Sequence, residues 1–182
     1  MAKKSNFKYF KERNNLTTKI DNLSEQEQKI VKEYLYFFVL NCPSGYSLTY
    51  PTSTMSKKFK EYGIEGGVKL KKLNKIKKMC DTNFFSFDAN KDISNHAIDK
   101  FTQAVKLKKD YICVQEDKYG SLFDSIYYKL RNAFSHGAFY IKEEVFVLWN
   151  IHNDHLKGIF VLSKETMSKL IEIIVEDNLE GE

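Results

Sequence analysis

A chain of 182 residues with two prolines, eight glycines and 14% aromatic residues has the composition of one globular domain, long enough to bury about two thirds of its unfolded surface, and not that of a disordered or collagen-like chain. Cys42, Cys80 and Cys113 lie more than thirty residues apart with no CxxC spacing, which indicates neither a disulfide framework nor a zinc site and fits a reducing cytoplasm. The net charge of +5 is unevenly spread: nine lysines face two glutamates between Lys57 and Lys78, while residues 164–182 hold two lysines and six acids, a polarity that favours a polyanionic partner.

The chain begins MAKKSNFKYFKERNN, basic but without the run of roughly 7 to 15 apolar residues that a secretory signal needs. Residues 1–20 are read as a flexible or additional helical segment of a single domain spanning 1–182. The next segment, LSEQEQKIVKEYLYFFVLNCPSG, opens at Ser24 with Glu27 three residues on, the spacing of a reciprocal capping box. Ile30, Val31, Tyr34, Leu35 and Phe38 recur at helical spacing, so a core helix is predicted to end before Pro43. The apolar run YLYFFVL is about a third of a membrane span, and no membrane association is expected.

PSGYSLTYPTSTMS, residues 43–56, is rich in turn formers and reads as a loop before a short helix near 54–62. GIEGG at 63–67 is a break; it lacks the GK[ST] ending of a phosphate-binding loop. VKLKKLNKIKKM then places Val68, Leu70 or Lys71, Leu73, Ile76 and Met79 on one side of a helix with lysines elsewhere. Lys69, Lys71, Lys72 and Lys75 are candidate contacts for an RNA backbone, set against the ordinary reading of a solvated lysine face. Residues 81–94 read as irregular, and a helix is expected over about 95–110.

SLFDSIYYKLRNAFSH after Gly120 is an amphipathic helix. Its apolar arc holds Leu122, Phe123, Ile126, Tyr127, Leu130, Ala133 and Phe134; the other arc holds Asp124, Ser125, Tyr128, Lys129, Arg131, Asn132, Ser135 and His136. Arg131 and His136 sit about 140° apart around the axis, whereas Asn132 lies one turn below His136 and can orient its ring. A basic last turn followed by Gly137 is also the ordinary way to end a helix. Beyond Gly137 the period becomes alternating: AFYI, EEVFVLWNI and KGIFVLS read as short strands, and Ser163 caps a final helix, KETMSKLIEIIVED. The expected fold is mainly α, a helical bundle with a small antiparallel β insertion before the C-terminal helix. His152 and His155 fall in the predicted turn HNDHLK, an exposed hairpin tip in preference to a metal pair. Trp149 is expected to pack the sheet.

The string LRNAFSHGAF, residues 130–139, resembles the signature of the HEPN superfamily, whose RX4-6H motif ends a helix of a bundle, often with Asn, Asp or His directly after the arginine. Arg131, four intervening residues and His136 match it, Asn132 matches the polar position, and Gly137 follows. The likeness covers about ten residues in sequence and, in the HEPN-like architecture it implies, residues 20–180. It implies a metal-independent endoribonuclease, a hydrolase acting as a homodimer in which two motif helices form one composite site, in a toxin–antitoxin, phage-defence or stress setting. No cofactor and no metal are expected. Cleavage would use the 2′-OH of the RNA and leave a 2′,3′-cyclic phosphate and a 5′-OH. His136, with an ordinary pKa near ~6.5, would exchange the proton. Arg131 would hold the phosphate, and Asn132 would orient the histidine or contact the phosphate. A separate antitoxin or regulatory chain is an expected partner. The alternative is a noncatalytic HEPN-like module that binds RNA, a nucleotide or a protein.

Overall fold

The computed structural model describes residues 23–36, 59–118, 120–142 and 145–175. Helix α1 (Glu25–Tyr34) opens with the capping box read from the sequence. The Glu27 backbone N–H donates to Ser24 Oγ at 3.4 Å, and the Ser24 N–H donates to Glu27 Oε2 at 2.9 Å. Residues 37–58, which carry the end of the first predicted helix and the turn-rich loop, lie outside the described residues.

Helix α2 (Gly66–Cys80) follows the GIEGG break and runs through a single 3-10 turn (Asp81–Asn83) into strand β1 (Phe84–Phe87). Helix α3 (Ser94–Leu107) leads to β2 (Tyr111–Gln115), and α4 (Leu122–Ser135) follows. Strands β3 (Phe139–Lys142), β4 (Val145–His152) and β5 (His155–Ser163) come next, and then α5 (Lys164–Val175). The strands form one sheet in the order β1-β2-β5-β4-β3. β1 and β2 are parallel, with Phe84 opposite Ile112, and every other pairing is antiparallel. At the β4–β5 tip Asn153 and Asp154 both have positive φ, 49° and 60°, the pair of left-handed residues that a two-residue hairpin turn needs.

This sheet overturns the expected mainly α bundle with a small antiparallel insertion. The three C-terminal strands stand where the alternating pattern puts them. The two that extend them into a mixed sheet come from FFSF, inside the stretch read as irregular, and from YICVQ. Strand β2 is buried along its whole length, because both faces of the sheet are covered. Such a strand shows no alternation of polar and apolar residues for a reader of sequence to find. The parallel pair also needs a crossover, and α3 supplies it.

Two apolar layers result. On one face Ile112, Val114, Phe146, Leu148, Phe160 and Leu162 meet α1, α2, α4 and α5. On the other, Tyr111, Cys113, Val147, Trp149, Ile159 and Val161 pack under α3. Backbone carbonyls along α5 tie the first layer together: Tyr34 of α1 donates to the Met167 carbonyl, Tyr127 of α4 to that of Leu170 at 2.8 Å, and Lys72 of α2 to that of Ile173. The last of these places a cation at the helix C-terminus, where the unpaired carbonyls and the dipole favour it. The N-terminus of α5 is closed by Ser163, whose Oγ accepts from the Thr166 N–H at 3.1 Å. Asp110 adds a second anchor, accepting from the Ser163 N–H at 2.7 Å. Among the described residues no helix is long and apolar enough to cross a membrane.

The central position of β2 is testable by truncation. Ile112, fully buried, should cost about 2–5 kcal/mol when changed to Ala, the range for emptying a core site. An exposed connecting segment would lose less than about 0.5 kcal/mol. Urea denaturation of Ile112→Ala measures the difference.

Candidate functional site

Helix α4 carries the residues singled out in the sequence, and its termination can be followed bond by bond. Ser121 and Asp124 form a capping box at the start, with the Asp124 N–H donating to Ser121 Oγ at 3.2 Å and the Ser121 N–H to Asp124 Oδ2 at 3.2 Å. At the other end Gly137 has φ 61°. The Ala138 N–H donates to the Ala133 carbonyl at 2.7 Å and the Gly137 N–H to the Phe134 carbonyl at 3.2 Å. These two bonds are the Schellman pair, which requires a left-handed residue at the position Gly137 occupies. Leu130, Ala133 and Phe134 are fully buried. Four residues of LRNAFSHGAF are thus explained by helix ending and core packing.

Arg131, Asn132 and His136 are not explained in that way. Arg131 and Asn132 are half-buried and His136 is exposed. Arg131 Nη1 donates to Asn132 Oδ1 at 2.9 Å, so the amide carbonyl steadies the guanidinium and not, as expected, the imidazole one turn above it. His136 is the C-cap residue, and its backbone N–H returns to the Asn132 carbonyl at 3.0 Å. The three side chains lie within about the last turn and a half of one helix and its cap. Arg131 there offers a planar cation held by an amide, suited to gripping an anion, and His136, well apart from it around the axis, an exposed imidazole suited to exchanging a proton.

The lower part of the polar arc is not a solvent face. Asp124, Ser125 and Lys129 are buried, because α4 is enclosed between the sheet and helices α1 and α2. Lys69 Nζ meets Asp124 Oδ1 at 2.8 Å, and Lys129 Nζ meets Asp117 Oδ2 at 2.8 Å. Burial holds the Lys129 ammonium below the usual lysine range, and the Asp117 charge opposes that shift. Gly158 of β5 makes room for the stem: a Cβ there would lie 3.1 Å from Lys129 Cδ and 3.2 Å from Phe160 Cε2. Sequence reasoning missed both ion pairs. The Ser121-x-x-Asp124 spacing was a readable signal for the cap, but nothing local announces that a lysine will cross a glycine in a strand far along the chain.

Helix α2 divides the four candidate lysines. Lys72 is buried and donates to α5, and Lys69 is committed to Asp124. Neither is placed to meet a phosphate, which corrects that reading for both. Around the axis they share the side of Leu73 and Ile76, where the interior is. Lys71 and Lys75 are exposed, as is Lys78, which the sequence reading left out.

The remaining candidates are structural. His152 and His155 flank the β4–β5 turn, opposite each other in the ladder. Among the described residues no group of three His, Cys, Asp or Glu converges as a metal site. Trp149 lies in the layer under α3, its ring 6.1 Å from that of Tyr140. His96 stands edge-on between Phe85 and Phe87, at 4.6 and 5.1 Å. Burial pushes the Cys80 thiol up to about 12 and that of Cys113 to about 11, so both remain protonated, inert core residues. Cys42 lies outside the described residues.

The crossing of Lys129 over Gly158 yields a double-mutant test. Gly158→Ala should destabilise by about 1–3 kcal/mol through overpacking. In a Lys129→Ala background the same change should cost less, with a coupling of about 0.5 kcal/mol or more in denaturant titrations. The ion pair also has a pH signature. A lysine whose folded pKa lies below its unfolded value, near ~10.4, destabilises fully below the folded pKa, and the penalty fades as pH rises toward the unfolded one. The contribution of Lys129 should therefore raise stability between neutral and alkaline pH, and Lys129→Met should flatten that slope.

Comparison of the chain with family models, with curated proteins and with solved structures gives no match in any of the three.

Proposed function

We propose that the protein is a metal-independent endoribonuclease whose reacting groups are Arg131, Asn132 and His136. The observation that supports this reading most is the separation of roles at the end of α4. Gly137 and the Ala133 and Phe134 carbonyls account for the helix ending, and Leu130, Ala133 and Phe134 for the packing. The side chains of Arg131, Asn132 and His136, half-buried or exposed, supply none of those bonds. The resemblance of residues 130–139 to the RX4-6H signature points the same way, and it rests on those residues alone, since a mixed sheet stands where a helical bundle was expected.

The chemistry follows from the side chains. The 2′-OH of the RNA attacks the adjacent phosphorus, the P–O5′ bond breaks, and a 2′,3′-cyclic phosphate and a 5′-OH result. His136 takes the 2′-OH proton as base. Arg131, kept in place by Asn132, stabilises the charge that grows on the non-bridging oxygens. The leaving O5′ needs an acid, and Arg131 and His136, well apart around one helix axis, surround a phosphate together only when a second copy of the helix faces them. A homodimer with His136 of the second copy as acid completes the site. We place this activity in the cytoplasm, in a toxin–antitoxin, phage-defence or stress role with a separate controlling chain as partner.

The second reading, a noncatalytic module that binds RNA, a nucleotide or a protein, is favoured by one observation: Arg131 is half-buried and already bonded to Asn132, as a purely structural arginine would be.

Incubation of the purified protein with total RNA in excess EDTA separates the two. Cleavage should persist with chelator and leave DNA of the same sequence intact. It should fall roughly 10²- to 10⁴-fold in His136→Ala and to a similar degree in Arg131→Ala. Equal activity in wild type and both variants would mark a contaminant, and binding without cleavage would establish the noncatalytic module. Sedimentation should show a dimer at micromolar concentration, and a fully active monomer would remove the composite site.

A further inference from the structure

Helix α2 contains six lysines and no acidic residue, and the fold sorts them sharply. Lys69 and Lys72 are drawn inward, to Asp124 and to the Ile173 carbonyl. Lys71, Lys75 and Lys78 are exposed. At about 100° per residue these three fall within an arc of about 60°, on the side away from Leu73, Ile76 and Cys80, and they rise over about 10.5 Å of axis. Asn74 lies beside them, exposed, and Leu70 is 58% exposed on the flank of the same face.

Like charges one turn apart on a helix repel. Among the described residues no carboxylate stands within ion-pair distance of Lys71 or Lys78. The nearest acids along the chain are those that bracket the helix, Glu65 and Asp81, and Glu65 is taken up by Lys60 at 3.6 Å. Lys71, Lys75 and Lys78 thus stand at fixed spacing on one exposed side of a rigid helix that has no acidic residue, an arrangement complementary to a chain of phosphates, whose condensed counterions it would release.

We propose that Lys71, Lys75 and Lys78 form a track for the backbone of single-stranded RNA, with Asn74 available to hydrogen-bond along it and the exposed Leu70 offering apolar contact to a base. A duplex is the poorer fit, because recognition of double-stranded RNA spans two successive minor grooves, far more than about 10.5 Å. The choice of RNA as the polyanion rests on the function proposed above. The track itself rests on the geometry of α2.

The test uses the full chain carrying His136→Ala, so that binding is read without cleavage, and a fluorescein-labelled single-stranded RNA oligonucleotide of mixed sequence. Replacement of Lys71, Lys75 and Lys78 together by Gln should lower the slope of log affinity against log salt by about 2, since each phosphate contact on a single strand contributes about 0.7. Between 50 and 200 mM salt the parent should thus lose about 20-fold more affinity than the triple variant. A charge-matched control, Lys106, Lys108 and Lys109 to Gln, should keep the parental slope. Far-ultraviolet circular dichroism of both variants checks that the fold is retained. An unchanged slope in the stripe variant, an equal loss in the control, or tighter stripe-dependent binding of duplex RNA would each overturn the proposal. Cleavage by wild type together with an unchanged stripe slope would sink the track and leave the nuclease standing. Stripe-dependent binding without cleavage by wild type would do the reverse.

Discussion

A helix enclosed on all sides must find a partner for each polar group it takes inside, because an unpaired buried charge costs several kcal/mol. Helix α4 meets that constraint for Asp124, Tyr127 and Lys129 with residues from three other parts of the chain, while the buried Ser135 Oγ has no hydrogen-bond partner among the described residues. Asp124 is held by Lys69 from α2, Lys129 by Asp117 from the end of the β2 connection, and the Tyr127 hydroxyl by a carbonyl of α5. Each pairing fixes α4 in rotation and along its axis, which a purely apolar contact would do less sharply. The surface turn that bears Arg131, Asn132 and His136 is the exposed end of this clamped element, so its orientation is inherited from the buried ion pairs below it. A site carried on a helix held in this way is more precisely placed than one on a loop.

The same constraint explains where the lysines of α2 go. A cation is needed at Asp124 and another at the carbonyl end of α5, and the helix supplies both from its interior side. The lysines on the opposite side are then left facing solvent. Structural and interactive cations therefore alternate within one short sequence, and their roles are set by angle around the axis and not by composition. Gly158 belongs to the same arrangement from the sheet side: without a Cβ, the strand lets the Lys129 stem pass over it to reach Asp117.

The helix ending at Gly137 illustrates how one sequence signal serves two purposes. The Schellman bonds account for the glycine completely, so the glycine in LRNAFSHG says nothing about catalysis. What it does is turn the chain sharply enough for His136 to occupy the cap, exposed, while Ala138 enters the sheet, where its carbonyl accepts from Trp149 at 3.0 Å. The functional reading is accordingly carried by three side chains.

Much of the local structure was legible in the residues themselves. The Ser24 capping box, the amphipathic helix of residues 122–135, the alternating strands after Gly137 and the Ser163 cap all depend on patterns a few residues long, which backbone geometry imposes directly. FFSF and YICVQ carry no such pattern. Their identity as parallel strands depends on the burial of YICVQ from both sides and on the pairing of FFSF with it across α3, so tertiary packing alone decided that a bundle would be a mixed sheet. Lys69 and Lys72 likewise read as phosphate contacts until the interior face of α2 was fixed, and Lys129 and Asp124 were only members of a polar arc until α4 was enclosed. The sequence determined by itself that Arg131, Asn132 and His136 would lie together at the end of one helix. That Asn132 holds Arg131 in place of His136 is a matter of side-chain packing at that turn, and only the assembled structure could decide it.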